Sequence, residues 1–506
     1  MGQRSRVELA PPPANPCSVD ATLRYPFMSL HLPEAGISQS KGPVAGLSCL
    51  TKRRASRRQT SCVARTDILS SVTSMNRPPS PEPIRALVRN AMPNVVVESV
   101  STLTTSQSQR VFSIKVSDGR TLSLRLAPLS SGLLRYEQWP ILSEARLTRW
   151  ILRISAEEFT EDHDDESSKS ETDKSNRNKR SSGESQGADP EVSPSAKRRM
   201  LDYLPNLIAH SSSPTELGLG FNIFESTKGV PISNLPTSLT AAERELVDFQ
   251  KGRLMRYISE FTSPNGKFGL AVATLEPSMS AEFQGTQQAG LGSDGMMTWR
   301  KAFHSLLEAI LRDAEDLSVT ISYETIRGHF YRLGHVLDAV TVPRLVVLDA
   351  AEDSNVLVSR SSDERGDASS PTTAPSESQI TVTGLCDWSK SIFGDPLFAT
   401  AFVQDTTPAF IRGFRKVPTP PSSPSRGDST PDADITSVDI SFIEDRENAQ
   451  VRLLLYECYH ATAAVVRQFY RPGADRSEQE IAARRRLTTV LSRLEGVGWE
   501  DEIVEA

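Results

Sequence analysis

Three residues in the last third of the chain, Asp349, Asn355 and Asp387, have types and spacing that suit phosphoryl transfer. Asp349 follows the apolar run Leu345–Leu348, Asn355 opens the run Asn355–Val358, and Asp387 closes the run Ile380–Leu385. Carboxylates at strand ends, with an asparagine between them, can hold a divalent cation against phosphate. Mg²⁺ takes hard oxygen ligands and leaves positions open for phosphate and water. Asp349 is then free to orient or deprotonate an attacking hydroxyl. No rival chemistry is spelled elsewhere. The seven His residues have no metal-ligand spacing, and there is no G-x-S-x-G elbow, no P-loop and no Cys–His signature.

The stretch reads LVVLDAAEDSNVLV and, after a Ser/Thr/Pro-rich interruption, ITVTGLCDWSKSIFGDP. It resembles the catalytic segment of the aminoglycoside phosphotransferase-like family, especially its divergent fungal branch. There L-V-H-x-D-x-x-x-x-N-[IVL]-x-V precedes I-x-G-[IVL]-[IVL]-D-[WF] and then G-D-P. Asp349, Asn355, Asp387 and Gly394–Asp395–Pro396 match this pattern. Two positions depart from it: Val347 stands where the family has His, and six steps instead of five separate Asp349 from Asn355. The resemblance implies an α+β, protein-kinase-like two-lobed fold, with a small antiparallel-sheet lobe and a larger, mainly helical lobe. It also implies a phosphotransferase using Mg²⁺ with ATP or GTP as phosphate donor. Asp349 would be the catalytic base, and Asn355 and Asp387 the metal ligands. Asp395 reads as structural, bonding backbone to brace the loop.

The elements that must position these residues begin at Pro83. Ile84, Leu87, Val88 and Ala91 recur at helical spacing. A strand is expected over Val95–Leu103. The alternating runs Arg110–Val116 and Thr121–Leu126, joined by Ser117–Asp118–Gly119, spell a hairpin. By the resemblance, Arg125 in LSLRLAP takes the place of the third-strand lysine that clamps phosphate, and Glu144 in EARLTRWI is its helix partner. Arginine can hold phosphate, but its planar fork differs from an ammonium point charge. Phe221–Ser226 is the expected hinge for adenine, with Phe224 and Glu225 contributing, Glu225 through its peptide bond. The expected phosphate loop, Thr102–Arg110, contains no glycine, so the close backbone approach that glycine allows is missing. Farther on, Thr240 and Glu243 form a capping box for a helix burying Leu246, Leu254, Tyr257, Ile258 and Phe261. Trp299, Phe303, Leu306, Leu307 and Ile310 make one face of another. Helices are also expected over Tyr323–Ala339, Glu447–Tyr470 and Ser477–Leu494.

Composition bounds the rest. Residues 1–80, 155–200, 359–378 and 416–436 are rich in Ser, Pro or charge, and read as a disordered tail and three insertions. They frame a small lobe over 83–228 and a large lobe over 229–500. A net charge of −6 argues against a general nucleic-acid binder. Five cysteines without zinc or disulfide spacing suit a reducing compartment. No apolar run is long enough for a membrane span. Lys179–Arg180 and Lys197–Arg198–Arg199 read first as a solvated linker and second as a nuclear-import signal, so the expected location is cytoplasmic or nuclear. Ser370–Pro371, Thr419–Pro420, Ser423–Pro424 and Thr430–Pro431 are candidate sites for proline-directed regulatory kinases. The expected partners are thus a nucleotide and a small-molecule hydroxyl acceptor of unread identity, with neither nucleic acid nor membrane. The alternative is a catalytically impaired, pseudokinase-like scaffold or interaction protein, which the glycine-free loop, Val347 and the longer Asp349–Asn355 spacing favour.

Overall fold

The computed structural model describes residues 81–103, 109–128, 132–164, 200–212, 219–275, 295–360, 380–404, 406–415, 442–473 and 475–498, with side chains of the helix over 140–164 described as far as residue 155. The expected tail, most of the three insertions with their Ser/Thr-Pro sites and basic clusters, and residues 104–108 of the phosphate loop lie outside these residues.

The chain enters through helix α1 (Pro81–Ala91) and then forms β1 (Val97–Leu103), β2 (Arg110–Val116) and β3 (Thr121–Leu126). With β4 (Leu207–Ser211) and β5 (Phe221–Glu225) these make one antiparallel sheet in the order β1-β2-β3-β5-β4. Period-two alternation divides its two faces. Phe112, Ile114, Leu122 and Leu124 cluster with Ile84, Leu87 and Val88 of α1. Arg125, between Leu124 and Leu126, is thereby turned to the opposite face. There α2 (Pro140–Asp164) crosses, presenting Glu144. This helix runs to Asp164, so the acidic stretch expected to open the first insertion starts as helix instead.

A short β6 (Val230–Pro231) leads to α3 (Ala241–Glu260), whose capping box forms as expected between Thr240 and Glu243. Leu254, Tyr257, Ile258 and Phe261 are buried, but Leu246 is 38% exposed and Val247 takes the core position. After β7 (Gly269–Leu270) and the single turn α4 (Ala271–Thr274) comes α5 (Trp299–Asp316). All five residues read as its inner face are buried. The Trp299 indole N–H donates to the Tyr456 hydroxyl at 2.7 Å. Helix α6 (Tyr323–Leu333) gives way to a 3₁₀ segment over Gly334–Ala339, so the single helix expected to Ala339 is split.

Two three-stranded ladders follow. One joins β8 (Arg344–Val347), β11 (Ser391–Gly394) and β7; the other joins β9 (Val356–Arg360), β10 (Ile380–Leu385) and β6. A turn at Thr400–Val403 (α7) and the short helix α8 (Pro408–Phe414) lead to the antiparallel pair α9 (Ala449–Tyr470) and α10 (Arg476–Gly496). Helices α3 and α8 cross at glycines. A Cβ on Gly252 would lie 2.0 Å from the Phe410 carbonyl oxygen, and one on Gly413 the same distance from that of Phe249. An antiparallel five-stranded sheet with its crossing helix, followed by a mainly helical body carrying paired loops, is an α+β, protein-kinase-like two-lobed fold. Among the described residues no helix is long and apolar enough to cross a membrane.

Candidate active site

The ladders bring the three predicted chemical residues together. Asp349 leaves β8, Asn355 precedes β9, and Asp387 stands between β10 and β11. Val347 pairs with Ser391, and Val356 with Leu385, so the two loops are pinned at both ends. The Asn355 side-chain amide donates to the Asp349 backbone oxygen at 3.3 Å, to Asp349 Oδ1 at 3.1 Å and to the Asp387 backbone oxygen at 3.0 Å. Its Oδ1 accepts the Asp387 N–H at 2.8 Å. All three residues are buried.

The extra residue between Asp349 and Asn355 does not part them. A turn absorbs it: Glu352 N–H donates to the Asp349 carbonyl at 3.1 Å and Asn355 N–H to the Glu352 carbonyl at 2.8 Å. Asp353, inside this turn, is gripped by Arg244 at 2.9 and 2.8 Å and by Lys251 at 2.6 Å, both on α3. Val347, where the resemblance has His, is a fully buried member of β8.

Arg125 and Glu144 form the expected ion pair through Nη1 and Oε1, with Arg125 lying over the Phe224 ring at 4.5 Å. Glu144 Oε1 also accepts the Trp388 N–H at 3.1 Å, and its Oε2 accepts from Asn222 Nδ2 at 3.3 Å. One carboxylate thereby ties the β-sheet, α2 and the Asp387 loop. Burial pushes its pKa up to about 7, against the opposing pull of Arg125. Burial also raises Asp387, and the nearby Asp349 charge adds to this. Cys386 is pushed up by burial to about 11 and stays a thiol. Phe224 is a core residue beneath Arg125, fully buried. The Glu225 N–H, expected to face adenine, donates to the Asn206 carbonyl at 2.9 Å, so that donor is already engaged.

Sequence reasoning missed three participants. Asn222 is the cross-strand neighbour of Arg125, a position that strand pairing alone would have flagged. Lys390 donates to Asp349 Oδ2 at 2.7 Å. Gln109, the last residue before β2, donates from Nε2 to Asp387 Oδ1 at 3.2 Å. No local pattern announces either of the last two.

For Mg²⁺ the test is which oxygens are free. Among the described residues no three His, Cys, Asp or Glu side chains gather as a metal cage. Asp387 Oδ2 and Gln109 Oε1, however, are buried and without a partner among the described residues. One carboxylate oxygen and one amide oxygen suit a hard cation that completes its shell with phosphate and water. Asp395, in the Gly-Asp-Pro turn, accepts the Leu397 N–H at 3.0 Å, and its Oδ2 accepts from Arg452 at 3.0 Å and Tyr456 at 2.7 Å. It is structural, as expected.

No family model matches the sequence, and no curated protein matches it significantly. Solved structures similar to the chain include phosphotransferases and a candidate sugar-amine kinase. One is a fructosamine-3-kinase candidate from Thermobifida fusca, at 12% identity, covering 80% of this chain and 98% of that one, with a TM-score of 0.41. Another is an aminoglycoside 2'-phosphotransferase in complex with GDP, at 11% identity, 81% and 97% coverage, and a TM-score of 0.38. A third is a macrolide 2'-phosphotransferase from Brachybacterium faecium, at 10% identity, 79% and 97% coverage, and a TM-score of 0.36. The likeness is in the course of the chain; the chemistry of the site rests on its own geometry.

Proposed function

We propose that the protein is a phosphotransferase that moves the γ-phosphate of ATP or GTP to a hydroxyl of a small molecule, assisted by Mg²⁺. The observation that carries this reading is a single hydrogen-bonded network running from Arg125 through Glu144 to the Asp387 loop, then through Asn355 to Asp349. Catalysis of this kind is positioning and charge stabilisation, and needs few groups held in fixed relation. Arg125 would hold donor phosphates with Glu144 fixing its direction. Asp387 would supply the chief oxygen to Mg²⁺, which would neutralise charge on the transferred group. Asn355 would set the distance between the two loops, and its Oδ1 would turn from the Asp387 N–H to take a place on the cation. Asp349 would receive the proton of the acceptor hydroxyl.

The scaffold reading also has an observation in its favour. The Asp349 carboxylate is held by Lys390, and Asp387 Oδ1 by Gln109 and by the Ser389 N–H at 2.8 Å, which leaves few acceptors free. Thermal denaturation of the full chain with MgATP or MgGTP separates the two. A phosphotransferase site raises the melting temperature once nucleotide passes Kd, and Asp387→Ala abolishes the metal-dependent part. No shift at millimolar nucleotide from a folded protein favours the scaffold.

A further inference from the structure

Gln109 and Asp387 are far apart in sequence, yet their side chains meet in the interior. Gln109 is 4% exposed and Asp387 is 2% exposed. Gln109 lies near the end of the stretch Thr102–Arg110, which the resemblance reads as the phosphate loop and whose sequence lacks the glycine that permits close backbone approach to phosphate. What it brings instead is a side-chain amide. The orientation of that amide follows from its neighbour: Asp387 Oδ1 accepts from Nε2 at 3.2 Å, and the reversed amide would set oxygen against carboxylate oxygen. Oε1 is therefore turned away from this bond. Among the described residues it is buried without a partner, and so is Asp387 Oδ2. A buried oxygen lacking a donor is costly. Two of them on side chains already in contact make a pair that a hard cation relieves at once.

We infer that Gln109 Oε1 is a ligand of a divalent cation shared with Asp387 Oδ2, so that the phosphate loop supplies the metal with a side-chain oxygen in place of a backbone cradle for phosphate. The inference rests on the phosphotransferase reading and adds a residue to it. Asp387 Oδ1 keeps its bonds to Gln109 and to the Ser389 N–H, leaving Oδ2 to the metal. Remaining positions on the ion fall to water or nucleotide phosphate.

The test is Mn²⁺ binding by the full-length protein, read as loss of the free-ion electron paramagnetic resonance signal, with and without ADP. Mn²⁺ shares with Mg²⁺ the preference for six oxygens. Gln109→Ala should weaken Mn²⁺ binding by about tenfold or more, since even groups behind a ligand cost that much when lost. Gln109→Glu should tighten it, because a carboxylate replaces an amide on the ion. If Gln109 only donates to Asp387, the same change places two carboxylates together and weakens it. Circular dichroism checks that each variant is folded. Unchanged or tighter binding in Gln109→Ala overturns the inference; if Asp387→Asn still abolishes binding, the phosphotransferase reading survives it. No Mn²⁺ uptake by wild type, even with ADP, overturns both.

Discussion

Lys390 Nζ lies 2.7 Å from Asp349 Oδ2, so the carboxylate best placed to meet a hydroxyl carries its own cation. The Lys390 side chain is 21% exposed and that of Asp349 5%, which leaves little water to screen the pair. Burial is the largest influence and works against the lysine's charge, but Asp349 together with Tyr136 and Asp387 outweighs it, and its pKa is raised. A raised lysine contributes stability that is complete below its unfolded value of about 10.4 and lost as pH climbs through the native one. Removing one partner leaves a buried charge alone, so Lys390→Met should cost about 3 kcal/mol of unfolding free energy at neutral pH. In a double-mutant cycle with Asp349→Asn the two changes should couple by about 2 kcal/mol. Additive losses in urea denaturation would mean that the ammonium stands in water.

The pattern that revealed Asp349, Asn355 and Asp387 was local: each sits at the end of a short β-branched run, and strand ends are where a sheet presents side chains. Arg125 was legible only through the resemblance; the fold then shows alternation turning it away from the face of Leu124 and Leu126. Lys390 and Gln109 were not legible, since each acts on a residue that only the folded chain brings near. Helix α3 shows how a site can also obscure a core pattern. Lys251 is 5% exposed because it reaches Asp353, so a charged residue occupies an inward position and breaks the apolar period. With that stripe interrupted, Leu246 looked like core and Val247 did not.

The Gly-Asp-Pro turn yields a stability prediction away from the chemistry. Arg452 is fully buried, pairs with Asp395 at 3.0 Å and donates from Nη1 to the Asp445 carbonyl at 2.9 Å. It anchors α9 to the loop that follows β11. Arg452→Met should lower the unfolding free energy by about 4 kcal/mol, because Asp395 is left as a buried, uncompensated anion. Adding Asp395→Asn removes that anion, so the double variant should be more stable than Arg452→Met alone. Equal or lower stability of the double variant in urea denaturation would show that the geometry of the turn, not its charge, is what Arg452 maintains.

His460 on α9 provides the acid limit. Its Nε2 lies 2.7 Å from the Phe398 carbonyl oxygen, and its ring stacks on Phe398 with centroids 5.0 Å apart. The carbonyl can only accept, so Nε2 carries the proton and Nδ1 is the atom that a second proton would charge. Burial opposes that charge, with Arg486 and Arg467 adding to the effect, and lowers the pKa to about 4. Between that value and the unfolded value of about 6.5, the unfolded chain binds a proton that the native chain does not. Stability from this group is thus complete above the unfolded value and is lost as pH falls through the native one, up to about 3 kcal/mol. His460→Gln keeps an N–H for the Phe398 carbonyl but does not titrate. Urea denaturation at pH 7 and pH 4.5 should show wild type losing about 2 kcal/mol more than His460→Gln over that interval. Equal losses would place the acid sensitivity in the buried carboxylates instead of in this ring.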